Sequence, residues 1–434
     1  MSGTTQDDYT DRYARRVRGM STSEIRALFA VASRPEVVSL AGGSPYIAAL
    51  PLDAVGEMLG RLATEHGTTA LQYGIGQGTV ELREHICEVM ALSGINDASP
   101  DDVVVTVGGQ QALDLISRLF LDPGDVVLAE GPTYVGALGA FQAAQAQVRH
   151  VAMDADGLIP AALVEALAAS GGRAKFLYTI PTYQNPAGVT LSEARREEIL
   201  NICAEHNLLV VEDDPYGMLS FEEDAPLPLR ARRRDGVIYL STFSKTFAPG
   251  LRVGWLLAPH AVREKLVMIS EASILCPSAF AQGAVTQYLA TMPWRQQIKV
   301  YREVYRERRD ALLMALSDLM PAGTSWTNPA GGLFVWATLP EGLDSKAMMP
   351  RAIAARVAYV PGTGFYADGT GRQNMRLNFS FSSPGRLREG VRRLAGVMEQ
   401  DLAMRSMFGT LDESHARRGR RGAAAADTPG PDLA

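Results

Sequence analysis

Cysteine is nearly absent. The 434 residues hold three, Cys87, Cys203 and Cys276, far apart and with no CxxC pair. This excludes a disulfide framework and fits reduced, mostly buried thiols in a cytoplasmic protein. Histidine is also sparse. The six (His66, His85, His150, His206, His260, His415) do not gather at ligand spacing, so no metal site is expected. No apolar run approaches the roughly 18 residues that span a bilayer, and the opening MSGTTQDDYTDRYARRVRG lacks the apolar core of a secretory signal. An excess of positive charge is missing too. A net charge of −6 gives no reason to expect nucleic acid or an anionic membrane as partner.

What is present is ordinary for a globular enzyme: 47% hydrophobic and 21% charged residues. The length exceeds one core and calls for a large domain with a smaller companion. Short β-branched runs punctuate the middle of the chain: VVVTV (103–107), VVLA (126–129), KFLYTI (175–180), LLVV (208–211), VIYL (237–240) and VGWLL (253–257). Between the first two, QQALDLISRLFL places Ala112, Leu115, Ile116, Leu119 and Phe120 at helical spacing. The runs are continuous rather than alternating in polarity. That predicts a mostly parallel sheet covered on both faces by helices.

Such sheets bind ligands beyond the carboxyl ends of their strands. The residues at those ends are Gly108-Gly109-Gln110, Glu130 to Tyr134, Pro181 to Asn185, Glu212 to Tyr216 and Ser241 to Lys245. Polar, aromatic and glycine residues collect at one edge. After about residue 300, GGLFVWATLP, AYVPGTGFY and MRLNFSFS alternate with helical patterns and predict a smaller α+β domain. Its first strand is expected to pair near residues 37–43. The closing HARRGRRGAAAADTPGPDLA is low in complexity and reads as a disordered, solvated tail.

Lys245 is either a surface lysine in a loop or an amine at a dry strand end, where desolvation lowers its pKa and favours a Schiff base. Asp213 follows an apolar run. It either caps the next turn or, as a buried carboxylate, needs a cationic partner such as a protonated pyridine nitrogen. Tyr216 can offer a phenol to the same ring. Gly109 and Gln110 open a helix whose free amides suit a phosphate. Ser244 and Arg252, with Thr242 or Ser241, can hold that phosphate from the other side. Tyr134 either stacks on a flat ring or simply packs its loop. Together these types describe an aldehyde, a basic ring nitrogen, a phenolic oxygen near Tyr216 and Asn185, and a phosphate. Pyridoxal 5′-phosphate has all four.

In family order over roughly residues 20–405, the segments SLAGGSP, LQYGIGQG, VGGQQALDL, EGPTY, PTYQNPAG, VEDDPYG, STFSKTFAPGLRVGW, NPAGGLFVW and MRLNFS resemble the fold-type I class I/II aminotransferases, nearest the 2-aminoadipate/kynurenine branch. The resemblance implies an α/β large domain with a mostly parallel seven-stranded sheet and a smaller α+β domain. It implies an N-terminal segment (1–44) that covers the substrate and joins the small domain, a large cofactor domain (45–305), a small domain (306–408) and a disordered tail (409–434). Lys245 is then the cofactor-bound lysine and proton shuttle, and Asp213 the partner of the pyridine nitrogen. Asn185 and Tyr216 face the phenolic oxygen, and Tyr134 stacks on the ring. Gly109, Gln110, Thr242, Ser244 and Arg252 form the phosphate cup. Arg376 clamps the α-carboxylate with Asn185. Tyr73 reaches the phosphate of the neighbouring subunit in a homodimer. Gly43, in a GGSP loop where the branch often has GGLP, lies near the substrate, and YIAAL after it departs from the usual polar continuation. Thr242 stands where serine is frequent. Arg26 is a candidate for a distal carboxylate or an exposed helix arginine.

The expected activity is transfer of an amino group from an aromatic, long-chain or distal-carboxylate 2-amino acid to a 2-oxo acid, foremost 2-oxoglutarate. An arylglycine or other specialised substrate is a further option. A pyridoxal-phosphate decarboxylase or β-lyase would carry the same cofactor motifs. A transcription regulator with an aminotransferase-like sensor domain is disfavoured, because only about 38 residues precede SLAGG.

Overall fold

Each of the six apolar runs becomes a strand in the computed structural model, which describes residues 9, 12–18 and 34–424. The first strand, β1 (Val38–Ser39), belongs to the smaller domain. The main sheet is built from β2 (Val103–Thr106), β3 (Val126–Gly131), β4 (Gln147–Asp154), β5 (Gly157–Leu158), β6 (Ala174–Thr179), β7 (Leu209–Asp213), β8 (Val237–Thr242) and β9 (Gly254–Leu257). Their order is β2-β9-β8-β7-β6-β3-β4-β5. The expected seven strands become eight because β5, two residues long, turns back antiparallel on β4. Pairings among β4, β3, β6, β7 and β8 are parallel. β9 runs against both β8 and β2, so β2 shares the direction of β8. The carboxyl ends of β2, β3, β6, β7 and β8 therefore meet at one edge.

Continuous apolarity has the predicted cause. Every position of β2, β8 and β9 is buried. Burying one such valine or leucine contributes about 1.5–3 kcal/mol. The helix Gly108–Phe120 inserts Ala112, Leu115 and Ile116 into that core, while Leu119 and Phe120 pack at its rim.

A second sheet has the order β10-β11-β14-β13, from β10 (Ser325–Trp326), β11 (Phe334–Thr338), β13 (Val360–Pro361) and β14 (Asn374–Asn378), all antiparallel. The expected partner of residues 37–43 needs correction. β1 pairs in parallel with β12 (Val357–Ala358), not with the first strand of this sheet. Strand β14 still reaches the same segment, through the Asn378 amide, which donates to the Leu40 carbonyl at 2.8 Å.

The helix Trp294–Leu319 runs through the junction expected at 305/306 and packs along the helix Pro384–Ala424. That last helix takes in residues 409–424, which the sequence reading assigns to a disordered tail. The segment carries four arginines, good helix formers, beside three alanines and three glycines, and extends a helix already nucleated. Of the three thiols only Cys203 is buried; Cys87 and Cys276 are half-buried. Among the described residues no helix is long and apolar enough to cross a membrane.

Candidate active site

Lys245 lies just past β8, and its Nζ donates to the Gly43 carbonyl at 2.8 Å. Loss of solvent lowers its pKa to about 8, and the nearby Arg376 and Arg252 push in the same direction. Asp213 ends β7, and its Oδ2 accepts a hydrogen bond from the Tyr178 hydroxyl at 2.7 Å. Burial raises this carboxyl to about 7; Asp214 and Glu130 add to the rise, while Tyr178 and Lys245 oppose it. A carboxyl strained in this way gains most from a cation placed against it.

The helix Gly108–Phe120 begins at Gly108 with φ of 73°. A Cβ there would stand 2.4 Å from Arg252 Nη2, so only glycine lets the helix start meet the guanidinium. Arg252 follows the short turn Pro249–Leu251 and itself adopts a left-handed conformation, φ 55° and ψ 51°. For a non-glycine residue that strain is of order 1–3 kcal/mol. It aims Nη1 at Ser244 Oγ (3.2 Å) and Nη2 at the Val107 carbonyl (3.3 Å). The Thr242 hydroxyl lies 2.9 Å from Ser244 Oγ. Ser241 is turned away and donates to the Asp214 carbonyl at 2.6 Å, so of the two candidates Thr242 faces the cup. Gln110 donates to the Gly136 carbonyl at 2.8 Å, and the Tyr134 hydroxyl stands 3.5 Å from Gln110 Oε1. Amides at a helix start, two hydroxyls and a guanidinium converge as an anion cradle.

Across the cavity, Arg376 rises from β14 between Trp336 and Val360. Its Nη1 donates to Asn185 Oδ1 and its Nη2 to the Ala41 carbonyl, both at 2.9 Å. The guanidinium lies 4.1 Å from the Phe334 ring centroid and 5.1 Å from that of Phe365. Its buried Nε has no hydrogen-bond partner among the described residues. Burial lowers its pKa to about 10. A desolvated guanidinium with an open donor is ready for a carboxylate. The Asn185 amide also reaches the Tyr216 hydroxyl at 3.5 Å, and burial raises the Tyr216 phenol above its ordinary value.

These groups line one cavity of about 330 Å³. Twelve of the sequence candidates border it: Lys245, Asp213, Tyr216, Asn185, Gly109, Gln110, Tyr134, Thr242, Ser244, Arg252, Arg376 and Gly43. Tyr73 does not; its ring is 78% exposed on the surface of its own chain. Arg26 lies outside the described residues. Three residues escaped the sequence reading. Tyr178 sits within a strand, where no local signal says which face its hydroxyl meets. Phe334 carries no polar cue, yet it bounds the cavity and would stand 3.1 Å from a Cβ at Gly43. The sequence offers no cue to Glu130 beyond its place at a strand end. It is fully buried and accepts from Thr179 Oγ1 (2.5 Å), the Ile180 amide (3.1 Å) and Gln184 Nε2 (3.0 Å).

The donor set fits pyridoxal 5′-phosphate on four independent points: a low-pKa amine, a buried carboxyl in need of a cation, a phenol–amide pair and an anion cradle. Comparison with known proteins agrees. The aminotransferase class I and II family matches residues 35–394. An aromatic-amino-acid aminotransferase from Thermococcus litoralis is 41% identical, covering 91% of this chain and 96% of its own. A 2-aminoadipate transaminase from Thermus thermophilus is 36% identical, covering 91% and 98%. The crystal structure of Pyrococcus horikoshii kynurenine aminotransferase, in complex with PMP, superposes with a TM-score of 0.87 at 39% identity, covering 91% of this chain and 98% of that one. The chain therefore belongs to the class I and II aminotransferases and is a fold-type I transaminase that uses pyridoxal 5′-phosphate.

Proposed function

We propose that the donor is a 2-amino acid with an aromatic or long apolar side chain, and that the acceptor is 2-oxoglutarate. One observation carries the donor class. The cavity is bordered by three cationic side chains among the described residues: Lys245, Arg252 and Arg376. The reaction assigns all three, to the reacting amine, the cofactor phosphate and the α-carboxylate. None remains for a charge at the far end of the donor. The remaining wall includes Phe334, Ile180, Val135 and Tyr134, a surface suited to an apolar body. A distal carboxylate, as in 2-oxoglutarate, then needs a cation from outside the described residues, and Arg26 is our candidate.

Bound pyridoxal phosphate supplies the electron sink for a carbanion at Cα. The chain's own groups do the rest. Lys245 would take and return the proton at the substrate Cα; its lowered pKa leaves more of the amine neutral for that role. Asp213 keeps the ring nitrogen protonated, and Tyr178 holds the Asp213 carboxylate in place. Asn185 and Tyr216 hydrogen-bond the phenolic oxygen, and Tyr134 covers the ring. Gly109, Gln110, Thr242, Ser244 and Arg252 fix the phosphate. Arg376, oriented by Asn185, binds the α-carboxylate and leaves Gly43 and Phe334 beside the side chain. The enzyme works by a ping-pong cycle as a cytoplasmic homodimer, with Tyr73 of each subunit completing the other's phosphate site. The exposed apolar residues Leu71, Tyr73, Ile75 and Leu275 support that contact.

The test is a donor screen with 2-oxoglutarate, following glutamate. Phenylalanine, tyrosine, tryptophan and kynurenine are expected to give product, and Lys245→Ala none. A preference for aspartate over every aromatic donor would refute the donor class. Absence of glutamate with all donors would remove the acceptor.

A further inference from the structure

A second cavity of similar size lies near the one assigned to the cofactor. It holds about 390 Å³, opens on the far side of the turn that follows β7 and shares no lining residue with the first. One wall is apolar: Met218, Pro226, Leu227, Trp294 and Ile298. Leu227 is 49% exposed at its mouth, an apolar surface left open to water beside a concavity.

The other wall is a row of cations. Arg295, Lys299 and Arg302 succeed each other at i, i+4 and i+7 on the helix Trp294–Leu319, facing the same cavity. Like charges so spaced destabilise a helix by about 0.2–0.5 kcal/mol per pair. The nearby acids do not relieve them. Glu303, one turn beyond Lys299, pairs with Arg306 at 2.7 Å. Among the described residues no carboxylate lies within ion-pair distance of Arg295 or Lys299. Arg295 instead lies over the Trp294 ring at 5.0 Å. Arg302 meets only the nearly fully exposed Asp224, at 3.7 Å, and donates Nε to the Met218 carbonyl at 2.8 Å.

The charge balance selects the ligand. Asp214 also borders the cavity, but its oxygens already accept from the Gly217 amide (2.9 Å) and Tyr239 (3.0 Å). Three cations against Asp214 and Asp224 leave one net positive charge. A single carboxylate is enough to neutralise it.

We propose that this cavity is a second small-molecule site, separate from the transamination centre, which takes an organic monocarboxylate with an apolar body. The carboxylate meets Arg295 and Lys299, and the body lies against Trp294, Met218 and Leu227. The site does not depend on the reading of the donor. Its test is titration calorimetry of the holoenzyme with 2-naphthoate. The Arg376→Ala background removes carboxylate binding at the catalytic cavity, and one 2-naphthoate per chain is expected there. Adding Arg295→Gln and Lys299→Gln is expected to weaken this binding at least tenfold. In the same Arg376→Ala background the neutral 2-naphthalenemethanol is expected to bind this site at least tenfold more weakly than the carboxylate, which tests the charge without altering the second cavity. No binding in the Arg376→Ala background, equal affinity after the two glutamine substitutions, or equal affinity for the alcohol overturns the site. Arg295→Gln/Lys299→Gln alone keeps the parent's transamination rate, so failure of this site and failure of the transaminase reading are distinguishable.

Discussion

At Lys245 the sequence left two readings open, and the neighbours decide between them. The amine is half-buried on the cavity wall and faces two guanidiniums, which shifts it toward its neutral form. Attack on a carbonyl needs that neutral form. The pKa is lowered, so the neutral fraction grows as pH rises through about 8 and saturates above it. Reconstitution of cofactor-free protein with pyridoxal phosphate, followed by visible absorbance, should therefore accelerate from pH 6.5 to about 8.5 and then level off. A rate still climbing nearly tenfold between pH 8.5 and 9.5 would mean an ordinary lysine, with a pKa of about 10.4. At Arg376 the desolvated guanidinium makes its bonds to Asn185 and Ala41. Arg376→Ala should lower kcat/KM for amino acids by roughly 30- to 5,000-fold, the 2–5 kcal/mol of a lost buried charge partner. Cofactor affinity should change by less than about threefold. Comparable loss of both would remove its role as substrate clamp.

Elements place these residues, and the loops between them are held by a carboxylate the sequence did not single out. Glu130, at the end of β3, ties down the start of the 180–187 loop through Thr179, Ile180 and Gln184. Gln184 in turn bonds the Pro132 carbonyl and the Ala187 amide, both at 2.8 Å. Asn185 sits inside this clamp, so the geometry of Arg376 depends on β3 as well as on its own strand. Glu130→Ala orphans three donors and should destabilise the protein by about 2–5 kcal/mol. It should also raise KM for the amino donor, through Asn185. Glu130→Gln lets Thr179 turn its hydroxyl to accept, and should recover most of both. Melting temperature and KM for the pair of variants check this; equal damage from the two would mean that only side-chain charge matters. The Glu130 and Pro132 contacts have no sequence signature, because they join residues about 50 positions apart.

On the scale of the whole molecule, two sheets and the β1 segment meet around one cavity. Asn185 of the large domain bonds Arg376 of the small one, and Gly43, next to β1, accepts from Lys245. The surface leaves Leu71, Tyr73 and Ile75 exposed, held against the 275–276 turn by the Gly74 amide on Cys276 Sγ at 3.4 Å. We expect sedimentation velocity to give a dimer. Tyr73→Ala should then release cofactor about fivefold more readily, the roughly 1 kcal/mol of one hydrogen bond, without dissociating the dimer. A monomer, or unchanged cofactor retention, would sink the shared site.

Continuity of the apolar runs determined the two-faced sheet, because burial of both faces demands it. The strand-end positions of Asp213, Lys245, Asn185 and the Gly108-Gly109 turn determined the cofactor edge, because parallel strands deliver their carboxyl ends together. Short-range chemistry of this kind is written locally. The tertiary structure alone decided what depends on distant partners: Tyr178 on Asp213, Phe334 against Arg376, and the Glu130 clamp. It alone decided that Ser241 turns away while Thr242 faces the cup. It alone joined the cations of one helix to the apolar turn after β7 as a second cavity. Such facts rest on how strands register and which face a side chain takes, and both are settled only when the whole core packs.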